Sequence, residues 1–159
     1  MQPAQALIPR RVWRVTLADL EDINPWLFPR LLEKYPNMNE AGVLHWFRAA
    51  ISDRSTLFIR SDKVVGMFEV HSDVLDTHPI VMERFVRKQD PEANEEGLAL
   101  YLFAREWAWS AGCGLFYFNI DSDVGMSGYT KGGGVEGGMM DVRRDITVRK
   151  RSIYIATLR

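Results

Sequence analysis

The sequence contains one cysteine, Cys113, in 159 residues, and its formal net charge at pH 7 is only −1. A single cysteine excludes an internal disulfide and leaves no cysteine cluster for zinc. No apolar run approaches the roughly 18 to 20 residues that span a bilayer, and the first ten residues lack the basic and apolar regions of a secretory signal. The small net charge gives no long-range attraction to nucleic acid or acidic membranes. We therefore expect a cytoplasmic protein with no metal site.

What is present is the composition of an ordinary globular protein. Hydrophobic residues make up 47% of the chain and charged residues 26%, and five Trp and eight Phe can fill a core. We find no internal repeat, low-complexity linker or change of composition that would divide the chain. The length fits one domain, so residues 1–159 are expected to fold as a single unit.

Local patterns predict an alternation of strands and helices. Thr16 and Asp19 form a helix-capping pattern after a short strand, and Pro25 and Pro29 are expected to interrupt the helix that follows. Apolar spacing and β-branched residues then predict a helix at 39–51, strands at 56–60, 64–70 and 79–86, a helix from Asp90 to about 111, and a strand at 115–120. The weaker pattern after that predicts a short helix and two closing strands. Because the strand at 115–120 follows a helix, it should lie parallel to its partner.

Two stretches carry recognisable motifs. The first, in residues 90–99, places Asn94, Gly97 and Ala99 at the start of the predicted long helix. The second begins at Ser122 and continues as Tyr129-x-Lys131-x-Gly133. The first stretch also has a simple structural interpretation, with Asp90 as the N-cap and Pro91 at the first helical position.

The order of elements and these motifs resemble the GNAT (GCN5-related N-acetyltransferase) superfamily, of which the chain looks like a divergent member. The resemblance implies an α/β (α+β) fold: a mixed, mostly antiparallel sheet of about seven strands, with a splayed parallel pair in the middle and helices on both faces. It also implies an N-acyltransferase that uses acetyl-CoA, or another acyl-CoA, to acylate an amine by direct attack on the thioester.

The resemblance also implies residue roles. Asn94, Gly97, Ala99 and Ser122 would bind the cofactor, its pyrophosphate lying at a helix N-terminus. Glu95 and Glu96 depart from the family pattern, because they bring negative charge to that place. The backbone of Phe85, Val86 and Arg87 would polarise the thioester carbonyl and pair with the pantetheine arm.

Catalysis by general acid and base would fall to two further residues. Tyr129 would protonate the departing thiolate, since a phenol keeps its proton at neutral pH. Glu83 would be the base, with Glu69 and His71 as alternatives. Strand alternation predicts Glu83 and Phe85 on one face of the sheet.

Two other functions are open at this point. A GNAT-fold protein without activity could act as a binding or assembly module, and Asn94, Glu95 and Glu96 favour that alternative. The other alternative is a protein that modifies or binds nucleic acid, and only the six basic residues among the last seventeen support it. The acceptor, a small-molecule or protein amine, and a homodimer or larger assembly are not decided by the sequence.

Overall fold

The computed structural model describes residues 11–72, 78–117, 139–141, 148–149 and 154–155. The helices in these ranges are α1 (Leu17–Lys34), α2 (Glu40–Ser52) and α3 (Asn94–Ser110). The strands are β1 (Trp13–Arg14), β2 (Thr56–Arg60), β3 (Val64–His71), β4 (Ile80–Lys88), β5 (Leu115–Tyr117), β6 (Met139–Asp141), β7 (Val148–Arg149) and β8 (Tyr154–Ile155).

The first six strands form one sheet in the order β1-β2-β3-β4-β5-β6, and β7 pairs with β8. Every neighbouring pair in the sheet is antiparallel except β4 and β5, in which Ile80 lies beside Leu115 and Met82 beside Tyr117. The mixed α+β fold and the parallel pair are confirmed. The count of about seven strands is not reproduced in the described ranges, which show six strands in one sheet. The described part of β5 ends at Tyr117, so the expected splaying of β4 from β5 stays a prediction.

Apolar clusters lie on both faces of the sheet. Leu57, Val86 and Phe116 pack with Leu100 and Tyr101 of α3 on one face. On the other face, residues of α1 and α2 pack with sheet residues that include Phe58, Met67 and Phe85. The sheet is thus enclosed between α3 and the α1–α2 pair.

Helix α1 corrects the prediction that Pro25 and Pro29 interrupt it, since it runs unbroken from Leu17 to Lys34 with both prolines inside. A proline leaves the carbonyl four residues earlier without its helical donor. Pro25, Pro29 and Glu21 are all exposed, so water can solvate the carbonyls of residues 21 and 25. The opposite side of the helix buries Leu20, Ile23, Leu27 and Leu31, and this packing stabilises the continuous helix.

Helix α3 begins later than the sequence predicts. Asp90 does not cap it: the Asp90 carbonyl and carboxylate accept from the N–H groups of Ala93 and Glu92, at 2.9 Å each. This turn occupies the expected first helical residues, and the N-cap is Ala93. The helix therefore starts at Asn94, and Gly97 lies in its first turn.

A β-bulge at Arg84 changes which faces the β4 side chains occupy. Phe68 of β3 lies opposite Glu83, and the preceding Met67 lies opposite Phe85, so Arg84 is an extra residue in β4. An extra residue shifts the alternation by one position. Glu83 consequently points to the α3 face and Phe85 to the α1–α2 face, and the prediction that they share a face was wrong.

Candidate functional site

The end of β4 meets the start of α3 through Lys88. Its Nζ donates to Asn94 Oδ1 at 2.7 Å and to the Pro91 carbonyl at 3.0 Å. The residue is 9% exposed, so its charge is held beside the first residue of α3. This lysine did not enter the sequence-based site, because it lies two residues beyond the predicted strand at 79–86 and only the structure places it beside α3.

The start of α3 has no side-chain cap. Ala93 at the N-cap cannot accept a hydrogen bond through its side chain, and the Gly97 N–H donates to the Ala93 carbonyl at 3.1 Å. Gly97 is buried and Ala99 half-buried. The first-turn amides and the helix dipole give this end a partial positive charge. Asn94, Gly97 and Ala99 are therefore brought together at one helix terminus, as the motif predicts.

Two carboxylates near this terminus bind the turn between β2 and β3. Glu96 Oε1 accepts from the Lys63 backbone N–H at 3.3 Å, and Asp90 Oδ2 lies 3.2 Å from Lys63 Nζ. The pKa of Asp90 is lowered, first by the hydrogen bond from the Glu92 N–H and then by Lys63. These acids have protein partners, which reduces the conflict that the sequence suggested between Glu96 and a bound anion.

A pocket of about 590 Å³ lies against the same helix terminus. Its lining joins the start of β1 to the first turn of α3, and consists of Arg11, Trp13, Asp62, Glu92, Ala93, Asn94, Glu95 and Glu96. Four carboxylates face one guanidinium in this lining, so this pocket is suited to cations more than to phosphate. Asn94 lines this pocket and also accepts from Lys88, so an anion bound there by Lys88 and the first-turn amides would lie close to these carboxylates.

Glu83 lies in the α3 face of the sheet, in contact with Tyr101. The Tyr101 hydroxyl donates to Glu83 Oε1 at 2.6 Å, and the two residues are 1% and 5% exposed. Glu83 directly follows Met82, the last β4 residue that pairs with the described part of β5. The predicted base is thus buried at the end of the parallel pairing. Sequence reasoning missed Tyr101, whose position four residues after Gly97 on one helix face was the only signal.

The alternative bases lie on the opposite face of the sheet and are more accessible. Glu69 Oε1 is 3.1 Å from Arg84 Nη1 and 3.3 Å from His71 Nε2. The Arg84 guanidinium also lies 5.1 Å from the centroid of the Trp46 ring. Half of the His71 side chain is exposed. The exposed His71 side chain is in contact with solvent, whereas the charge of Glu69 is already neutralised by Arg84.

The side chains of Phe85, Val86 and Arg87 are buried. Phe85 packs in an aromatic cluster with its ring centroid 5.8 Å from that of Trp46, and Arg87 Nη1 donates to the Val86 carbonyl at 2.9 Å. A ligand along this strand would meet backbone rather than these side chains. Tyr129 and Ser122, the remaining predicted residues, lie outside the described residues.

No helix in the described part of the chain is long and apolar enough to cross a membrane. Among the described residues, no three His, Cys, Asp or Glu side chains converge as metal ligands do. Cys113 is buried in the cluster beneath α3.

Comparison with known proteins identifies the fold. No protein-family model matches the chain, and no curated protein matches it. Among solved structures, a transcriptional regulator from Bacillus halodurans C-125 is similar at 17% identity, with a TM-score of 0.60 over 70% of this chain and 81% of that one.

Two enzymes are also similar. Aminoglycoside antibiotic 6'-N-acetyltransferase AAC(6')-Ih from Acinetobacter baumannii has 17% identity and a TM-score of 0.55, over 69% of this chain and 78% of that one. AAC(6')-IG from Acinetobacter haemolyticus, without ligand, has 16% identity and a TM-score of 0.53 over the same shares, 69% and 78%. At these identities the likeness concerns the fold alone, and the chain has the GNAT fold.

Proposed function

We propose that this protein is an acyl-CoA-dependent N-acyltransferase that transfers an acetyl or similar acyl group to an amine. The observation that carries the proposal is the junction of β4 and α3, where an uncapped helix terminus lies beside Lys88 and Asn94. The enzymes among the structural neighbours support acyl transfer at the level of the fold. The acceptor would be a small-molecule or protein amine.

The residues at this junction fit a pyrophosphate. Lys88 supplies a positive charge, and the first turn of α3 supplies backbone amides and a partial positive charge. Glu96 is bound to the Lys63 N–H rather than left beside the anion. Asn94, Gly97 and Ala99 would hold the pyrophosphate, and Ser122 would add a contact from its part of the chain.

The bulge at Arg84 fits the expected position of the thioester. Lys88 and Arg84 are four residues apart on β4, which corresponds to about 13 Å of extended strand. An extended pantetheine arm laid along the backbone of Phe85, Val86 and Arg87 would follow this segment by strand addition. A bulged residue interrupts the ladder with the neighbouring strand, so the backbone near Arg84 could donate to the thioester carbonyl.

When bound, acetyl-CoA would supply an acyl group activated as a thioester. Glu83 would take the proton that the acceptor ammonium loses, through a water molecule because the carboxylate is buried. Tyr129 would hold a proton for the departing thiolate and regain one from solvent. General acid–base catalysis of this kind contributes on the order of 10² to 10⁴-fold.

Calorimetric titration with acetyl-CoA tests the proposal directly. Wild type should bind, and Asn94→Asp should bind about tenfold more weakly because it adds a negative charge beside the pyrophosphate. Asn37→Asp adds the same charge at an exposed site before α2 and serves as the matched control. Release of free thiol in the presence of a panel of amines, aminoglycosides included, then measures transfer.

Absence of heat from wild type would contradict the proposal. Equal affinity of wild type and Asn94→Asp for acetyl-CoA would show that the cofactor does not bind at the start of α3.

A second function is favoured by the acidic pocket at the start of α3. Four carboxylates line it, and one structural neighbour is a transcriptional regulator. The alternative is a binding or assembly module that has kept the fold without the transferase activity. Light scattering and co-purification would detect a homodimer or a larger complex. Salt-sensitive retention of DNA or RNA would instead indicate nucleic acid. A cytoplasmic location stays a prediction from the sequence.

A further inference from the structure

The contact between Glu83 and Tyr101 joins two groups that can carry protons, in a part of the molecule with little access to water. Glu83 is on β4 and Tyr101 on α3, and the bulge at Arg84 directs Glu83 toward the helix. The Tyr101 ring also contacts Phe68 and Phe116, with centroids 6.0 and 6.4 Å away. These ring contacts hold the hydroxyl in one place.

The contact is a short hydrogen bond in which the Tyr101 hydroxyl donates to the carboxyl group. The Oη–Oε1 distance is 2.6 Å, at the short end of the range of about 2.5 to 3.0 Å for hydroxyl donors. Burial among apolar side chains opposes ionisation, whereas a hydrogen bond to the charged form favours it. The hydrogen bond from Tyr101 therefore acts against the effect of burial on the carboxyl group. Arg105, which is 1% exposed and lies one turn after Tyr101 on α3, brings a positive charge to the same side of the helix.

A general base must be ionised before it can accept a proton. We propose that Tyr101 is a positioning residue for Glu83, keeping the carboxylate ionised and oriented to accept the proton of the acceptor amine. The inference rests on the proposed transferase function. One proton moves from the ammonium nitrogen through a water molecule to Glu83 and then returns to solvent, and Tyr101 keeps its own proton throughout.

Tyr101→Phe tests the inference, because it removes one hydroxyl and keeps the ring. Two quantities are measured: the titration midpoint of the Glu83 carboxyl by ¹³C NMR, assigned by its absence in Glu83→Gln, and the acid limb of the pH profile of kcat/KM. Both should move to higher pH by about one unit, a tenfold change in the ionisation constant. Tyr35→Phe removes the same group from an exposed site and should leave both unchanged.

Replacing Tyr101 by 3-fluorotyrosine provides a second variant that keeps the hydroxyl and makes it a stronger donor. Both midpoints should then move to lower pH. This variant tests the inference even where loss of the hydroxyl unfolds the protein.

The outcomes separate the inference from the function on which it rests. A shifted carboxyl midpoint with an unchanged acid limb would overturn the inference and leave a structural pair. Unchanged values of both in either variant would also overturn it. Failure of wild type to bind acetyl-CoA by calorimetry would overturn the proposed function, and the catalytic role of Tyr101 with it, while the NMR titration would still report whether Tyr101 keeps Glu83 ionised.

Discussion

Lys88, the last residue of β4, places its ammonium 2.7 Å from the side-chain oxygen of Asn94, the first residue of α3. Strand and helix are thus joined by a positive charge at the point where a cofactor pyrophosphate is proposed to bind. The charge is mostly buried, so salt and water screen it less than they screen a surface lysine.

Lys88→Met should weaken acetyl-CoA binding about tenfold, because it removes a cation beside the pyrophosphate and leaves the apolar stem. Calorimetry at fixed salt gives the affinity, and a thermal unfolding scan verifies the fold. Lys34→Met, at the exposed end of α1, is the matched control and should bind as wild type does. Equal affinity of the two variants would show that Lys88 acts only on structure.

Glu83→Gln should reduce kcat/KM by on the order of 10² to 10⁴-fold, the usual contribution of a general base. Glu69→Gln should reduce it less than about threefold, because Arg84 already neutralises Glu69 on the other face. Initial rates of thiol release with one amine compare the two directly. The reverse order of effects would assign the base to the Glu69–His71 side of the sheet.

Gly66 of β3 permits close approach of α3. A Cβ at this position would lie 3.1 Å from Leu100 Cδ2, 3.1 Å from Phe68 Cε1 and 3.2 Å from Val86 Cγ2. Gly66→Val should therefore lower the free energy of unfolding by about 1 to 3 kcal/mol through overpacking. Urea denaturation measures the loss.

Leu100→Ala in the Gly66→Val background supplies the check on that explanation. The double variant should be more stable than the sum of the two single effects predicts, since removing the Leu100 methyls relieves the contact. Strict additivity would show that Gly66 is required for another reason.

Asp90 should make stability depend on pH at the acid end. Its folded-state pKa lies below the ordinary value of 3.8. Its contribution is therefore fully present above the unfolded pKa and is lost as pH falls through the folded pKa. Asp90→Asn should be less stable than wild type at neutral pH, and the gap should narrow as the pH falls below about 4.

Urea midpoints of both proteins between pH 7 and pH 3 measure this difference. Lys63→Met removes the side-chain partner of Asp90, and its stability should therefore depend less on pH in this range than the stability of wild type does. A constant gap across the range would mean that Asp90 stabilises the protein independently of its charge.

The local patterns predicted several elements correctly because their physical causes lie close together in the chain. The Thr16–Asp19 capping box forms as the residue types suggest. The helix predicted at 39–51 forms as Glu40–Ser52, with Asn39 as its N-cap. Helix α3 ends where Gly112 adopts a φ of 78°, which glycine accommodates without steric cost. The parallel pairing of β4 with β5 followed from the helix between them.

The site was only partly predictable for the opposite reason. Asn94, Gly97 and Ala99 are a local motif, and the structure brings them together at the start of α3. Lys88 and Tyr101 became recognisable only once β4 and α3 packed together. Tyr101 is 18 residues from Glu83 in the chain, and no local spacing predicts that contact.

The sequence by itself determined the order of elements from β1 to β5 and the residue types of the motif at the start of α3, since capping, periodicity and turn preferences act over a few residues. The predicted single strand at 139–148 was wrong, because β6 (Met139–Asp141) and β7 (Val148–Arg149) are separate strands, and the predicted short helix lies outside the described residues. The tertiary structure decided the continuity of α1 through Pro25 and Pro29, because burial of the opposite side of the helix offsets the lost backbone bonds. It also decided the face on which Glu83 lies. The bulge at Arg84 depends on the register between two strands, and register is fixed by packing on both faces of the sheet rather than by one strand's sequence.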